Sequence, residues 1–414
     1  MNQGGKTVKQ PAFKSRLKGF DDLLAPLSRR EQHIVVLELG ATTLRAGKAG
    51  DNEPQLLMPA CVARSAIENK NDLTQTRPAD LFGHKAQLAM EEKSKEFTLS
   101  YPFEDPEQNL DKIEVMLKHV FEEKLGKEPS HLDLFIVDSP SASETRQKFC
   151  EMFFETFRVQ SLNFAPSPLC ALLLAGQTCG LSVEVGHSSA TTMPIFQGFV
   201  ARHGSRQSEY AGRHASNIVA RHITEKELTL TPGDKDALIR NVKEKLACVS
   251  LRYEEELAET KLLPMEERCF ELPDETAIEL DRTTIFNAGE VLMRPGEILG
   301  VEAPNLVDSI YQSITSVDPE MSRRMFQNVV LSGGAAQTKG LLSRVRSDLS
   351  SVFAGHPEFL GTELMIKRAP ESPNSGRVGG SLLASISSIQ ELNIKKSEYE
   401  ESDNRLGFLF QKTI

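Results

Sequence analysis

The chain has no tryptophan, which removes a fluorescence probe and excludes nothing else. It also has no apolar run of the roughly 18–20 residues that a membrane-spanning helix needs. No apolar signal core stands at the N-terminus, so secretion is not expected. None of the six cysteines forms a CxxC pair. Cys61, Cys150, Cys170, Cys179, Cys248 and Cys269 are scattered, as expected of reduced, mostly buried thiols in an intracellular protein. Basic charge is scarce as well: 48 Lys+Arg stand against 58 Asp+Glu, a net charge of −10. Phosphate-backbone binding needs a basic face, so neither DNA nor RNA is expected as the main ligand. What remains is a globular composition, 39% hydrophobic and 26% charged over 414 residues. That length fits two or three ordinary domains or one large two-lobed molecule.

Residues 1–30 differ from the rest. They hold seven basic residues against Asp21 and Asp22, a local net charge of +5. Phe13, Leu17, Phe20, Leu24 and Leu27 recur at helical spacing, which predicts a helix over 13–27 with one apolar face. It can fold back on its own domain, dock on a partner, or lie on a membrane surface.

The globular part opens with the strand signal Ile34-Val35-Val36-Leu37 and a second strand from Thr42 to Ala46, turning at Gly40-Ala41. Residues 63–86 read as a polar, loop-rich insertion. Helices are predicted over 109–125 and 146–157, with a strand at 134–137 between them. Strands and helices alternate, so the class is α/β. The first hairpin's pattern returns 146 residues later: apolar strand, Glu184, one apolar residue, Gly186 and a small polar turn repeat Glu38, Leu39 and Gly40. Two such hairpins suggest a duplicated α/β domain with a cleft between the copies.

A turn of small residues exposes backbone N–H groups that can cradle a phosphate. An acid beside it can hold Mg²⁺, usually through water. Further on, the strand Val329 to Leu331 runs through Ser332 into Gly333-Gly334, where the backbone can approach a base or ribose closely. Gly379-Gly380-Ser381 is read as the opening of a helix from Leu382 to Ile389, serving either tight packing or a ligand.

At this point the sequence resembles the actin family over nearly all of residues 33–403. The segments that carry the resemblance stand in family order: Ala46 to Asp51, Leu99 to Glu104, Phe153 to Phe157, Met193 to Phe199, Ala211-Gly212-Arg213, Val242 to Leu246, Phe270 to Asp274, Val330 to Gly334, Gly379 to Ser385 and Glu398 to Ser402. The resemblance implies an actin-like duplicated fold of two lobes and four subdomains around a nucleotide cleft. It divides the chain into a basic extension (1–32), a small lobe (33–167 plus 375–414, insertion about 60–100) and a large lobe (168–374, insertion about 211–299).

It also implies ATP or ADP in the cleft, with Mg²⁺ held through water by Glu38 and Glu184. Gly40, Ala41 and Gly186 would form the two turns and Arg45 would face phosphate. Lys243 and Glu244 would lie on the adenosine side, with Gly333 and Gly334 against the nucleotide. Departures matter equally. Both acids are Glu where the family has Asp, and His187-Ser188 stands for Asp-Gly. Ser167 and Thr191 occupy the places of the Gln and His that position the attacking water, and Pro373 the place of an adenine-side Lys. The polar 65–78 segment lacks the apolar tip of a filament loop, and 289–299, read as a surface loop that would face the opposite strand of a filament, carries Glu290, Arg294 and Glu297 among apolar residues. The expectation is an actin-related subunit of a larger cytoskeletal assembly, cytoplasmic, with protein partners among which other actin-family subunits are candidates. It would turn over little or no ATP and form no long filaments alone. A polymerising ATPase and a nuclear chromatin-remodeller subunit are the alternatives.

Overall fold

All six residues of the strand Ile34–Leu39 are buried, Glu38 included, because the strand is covered on both faces and paired on both edges. It pairs antiparallel with Thr43–Lys48 and parallel with Asp133–Asp138. Such a centre explains why the segment reads as a continuous apolar run rather than an alternating one. The computed structural model describes residues 33–65, 80–93, 96–139, 143–225, 232–259, 263–272 and 277–401. The predicted helix over 13–27 and nearly all of the 65–78 segment lie outside these residues.

Two six-stranded sheets organise the chain. The first runs in the order Ile394–Lys395, Ser161–Pro166, Asp133–Asp138, Ile34–Leu39, Thr43–Lys48, Leu56–Pro59. The second runs Phe199–Val200, Ala190–Phe196, Gly180–Val185, Val329–Ser332, Ile366–Arg368, with Arg206–Ser208 paired to Ala190–Phe196. Each is built around a hairpin whose first strand has a parallel neighbour on its other side. The register makes the repeat concrete. Glu38 lies opposite Arg45, and Glu184 lies opposite Thr191.

Between the sheets runs the helix Ser167–Leu174, buried at every position but Leu173. A helix apolar on all sides belongs inside a core. Cys170 packs with Val36 and Val137 of the first sheet, while Leu169 and Leu172 pack with Met193 and Val330 of the second. The helix Ser375–Ala384 lies against it so closely that a Cβ at Gly379 would run into the Cys170 carbonyl. This corrects the reading of Gly379-Gly380. They lie in the middle of a helix that ends at Ala384, and they serve close packing, Gly379 on the helix Ser167–Leu174 and Gly380 on Val137 of the first sheet, not helix initiation. A separate short helix, Ser387–Gln390, takes up the remainder.

The predicted helix over 109–125 is α-helical from Leu110 to His119 and then widens to π-type turns, Val120–Leu125, ending at left-handed Gly126. The one over 146–157 begins earlier, at Ser143, and widens likewise over Met152–Thr156, where Met152, Phe153 and Phe154 are all buried. The insertion is more regular at its ends than expected: Val62–Ser65 pairs with Leu81–Phe82 and Phe97–Ser100, and a helix spans His84–Glu92. Residues 289–299 also depart from the expected loop. They lie on and between the helices Arg282–Glu290 and Pro295–Leu299, and Val291, Leu292 and Met293 are at most 4% exposed. Glu290, read as a surface charge, is fully buried and bonded to Arg344 and Arg294. Among the described residues no helix is long and apolar enough to cross a membrane.

Candidate functional site

The two hairpin turns face one another across a cavity of about 970 Å³. Glu38, Gly40, Ala41 and Arg45 line it from the first hairpin, Glu184 and Gly186 from the second. Lys243 and Glu244 reach it from the helix Pro232–Leu246, and Gly333 and Gly334 from the end of strand Val329–Ser332. All ten residues singled out from the sequence therefore meet in one place, with His187, Ser167 and Pro373 beside them. Thr191 is not among the lining residues. It is 3% exposed and lies directly opposite Glu184 in the ladder, on the same face of the hairpin.

Local chemistry sets the geometry. Gly333 has φ 91°, and a Cβ there would strike the Val185 carbonyl, so the strand can end this way only with glycine. A Cβ at Gly334 would meet nothing, which leaves an open wall. The second turn is held from behind, because the backbone N–H groups of Gly212 and Arg213 donate to the carbonyls of Gly186 and His187 at 3.0 and 2.7 Å. Lys243 Nζ donates to Ser216 Oγ at 3.0 Å, and burial holds its pKa below the usual lysine range.

The acids are differently served. Glu38 Oε2 stands 3.1 Å from Arg45 Nη1. Burial raises the Glu38 pKa, and Arg45 opposes that rise. Glu184 Oε1 accepts a hydrogen bond from Ser167 Oγ at 2.8 Å. Burial pushes its pKa up to about 7, against the hydrogen bond and with the help of the Glu38 charge. An acid whose folded pKa exceeds its unfolded value of 4.5 favours the fold below pH 4.5 and progressively less as pH rises to about 7. Glu184→Gln should therefore narrow or reverse its stability deficit relative to the native protein between these limits, by about 3 kcal/mol. Denaturant titrations at pH 4.5 and 8 measure it, and equal differences at both would show that Glu184 titrates normally.

Sequence reasoning missed several members of the site. Asp138, at the end of its strand, forms a two-bond pair with Arg146 at 2.9 and 3.0 Å on the cavity wall. A third acid at a strand's carboxyl end was the available signal. Arg213 and Arg240 add positive charge to the lining. Glu104, from the turn Pro102–Glu104, reaches across to His187 Nε2 at 3.1 Å. Their separation along the chain left no local pattern to read.

A phosphate-bearing ligand with a flat base fits these walls: a glycine-bounded strand end, an open face at Gly334, and Arg213, Arg240 and Lys243 on the lining. A directly ligated metal does not fit. Among the described residues no group of three or more His, Cys, Asp or Glu side chains could hold one.

Family comparison matches the chain to Actin over residues 29–235 and 233–407. The chain is also 28% identical over 378 residues to a protein named Centractin from Schizosaccharomyces pombe, covering 89% of this chain and 95% of that one. With the duplicated sheets and facing hairpins, a family match running through nearly the whole chain places it in the actin family, as an actin-related protein.

Proposed function

We propose that the protein is a structural actin-related subunit of a multiprotein cytoskeletal assembly in the cytoplasm. It keeps ATP or ADP in the cleft between two lobes, residues 33–167 plus 375–414 and residues 168–374, with little or no hydrolysis. The observation that carries this reading lies at the two positions that would place an attacking water. The Ser167 hydroxyl is bound to Glu184, and Thr191, beside Glu184 in the hairpin, is 3% exposed and carries no imidazole. Membership of the actin family speaks for a partnership with other actin-family subunits. A ligand held in this way acts on the fold itself: at 1,000 times its Kd it adds about 4 kcal/mol of stability with no turnover.

Self-assembly is disfavoured for a physical reason. Filament contacts must bury apolar surface to exceed the cost of association, and Val291, Leu292 and Met293 are packed inside instead. In salt and Mg²⁺ that polymerise actin, the purified protein should remain in the supernatant on sedimentation, and nucleotide should be recovered from it by acid extraction. A helical filament in the pellet would favour the polymerising reading, and a cleft free of nucleotide would leave only a scaffold.

A further inference from the structure

Glu38 and Arg45 are already committed to one another. They are opposite residues of the first hairpin, their charged ends are 3.1 Å apart, and each side chain is only 11% exposed. The equivalent place in the second hairpin holds neutral Thr191, and Glu184 there takes a hydrogen bond from a neutral hydroxyl. Asp138, the other acid on this wall, forms its two-bond pair with Arg146. A cation held through water needs carboxylate oxygens turned to its water shell. Here Glu38 Oε2 faces a guanidinium and Glu184 Oε1 a hydroxyl. A guanidinium also stays charged at any working pH. Its fork lets one nitrogen hold a carboxylate while the others face a phosphate oxygen.

We propose that Arg45 serves as a built-in cation between Glu38 and the phosphates, so that ATP or ADP binds without a divalent ion. This rests on the nucleotide reading above and replaces the water-held Mg²⁺ that the family resemblance implies. The lysine expected at Arg45's position would give a single point charge, and the arginine changes what the site can do without metal.

The test is calorimetric titration of the full chain, stripped of nucleotide, with ADP and with ATP, in Mg²⁺ and in excess EDTA. The expected Kd values in the two buffers agree within about threefold. A loss of about tenfold or more in EDTA overturns the proposal and leaves the nucleotide reading standing. Binding in neither buffer overturns both. Arg45→Met should lose about tenfold or more in EDTA relative to the native chain and recover part of it on adding Mg²⁺, while Arg45→Lys should lose less. Unchanged affinity of Arg45→Met in EDTA would also overturn it. Circular dichroism checks that each variant folds, and the native chain in the two buffers decides the matter if neither does.

Discussion

Given ATP, the purified protein is expected to release phosphate about 10²–10⁴ times more slowly than a filament-forming actin, the worth of a positioned proton-transfer group. The attacking water must be held in line with the terminal phosphate and must lose a proton. Ser167 spends its one hydroxyl proton on the 2.8 Å bond to buried Glu184, which leaves it only an acceptor lone pair for water and no basic group to take a proton. Thr191 is 3% exposed beside Glu184, and a hydroxyl there is no base. His187, the nearest imidazole, is tied to Glu104. Glu184 is the remaining candidate, since a carboxyl with its pKa near 7 could take a proton. The assay therefore has a clear failing result. Turnover at the rate of filament-forming actin, rising through pH 7 and abolished by Glu184→Gln, would make Glu184 a base and the protein an enzyme.

Arg344→Met should destabilise the protein by about 3–5 kcal/mol, because it strands a buried charge. Glu290 is fully buried at the end of the helix Arg282–Glu290. It receives Arg344 Nη1 at 3.2 Å, Arg294 Nε at 3.2 Å and the Ser250 N–H at 3.1 Å. Burial raises its pKa, and Arg344 is the first of the groups opposing that rise. Without Arg344 the carboxyl should become still harder to ionise. The deficit should then shrink as pH falls towards 4.5, where protonation removes the charge. Chemical denaturation at pH 7.5 and 5 reads both effects. A loss below about 1 kcal/mol at pH 7.5 would show that Arg294 and Ser250 suffice. The position matters because Ile285 and Ala288 of the same helix belong to the core around Val219 and Val242, whereas Arg344 lies on a helix of the core around Leu331. The ion pair thus joins the two.

The hairpins, the repeat and the glycine strand end were legible because they are local. A buried strand, an acid and a small turn follow one another within ten residues, and two copies of such a pattern imply a cleft. The pairing of Glu38 with Arg45 was less visible, though it too follows from a tight turn: once Gly40-Ala41 turns the chain, register places the two side by side. Glu290 misled because glutamate in a surface loop reads as solvated. Only the fold shows that two arginines from different segments surround it. Gly379 and Gly380 misled for a similar reason. Glycine inside a helix weakens it, and the compensating contacts, Cys170 for Gly379 and Val137 for Gly380, come from segments some 200 residues away in sequence. Glu104, Arg213 and Arg240 could be found only in space.

The bond from Glu104 to His187 ties the first hairpin's side of the cavity to the second's, and the helix His84–Glu92 packs on Pro232–Leu246 from the same two sides. A bound molecule that touches both sides leaves most readily once these contacts part. Its residence time then depends on a local opening of the protein as well as on the ligand's own contacts.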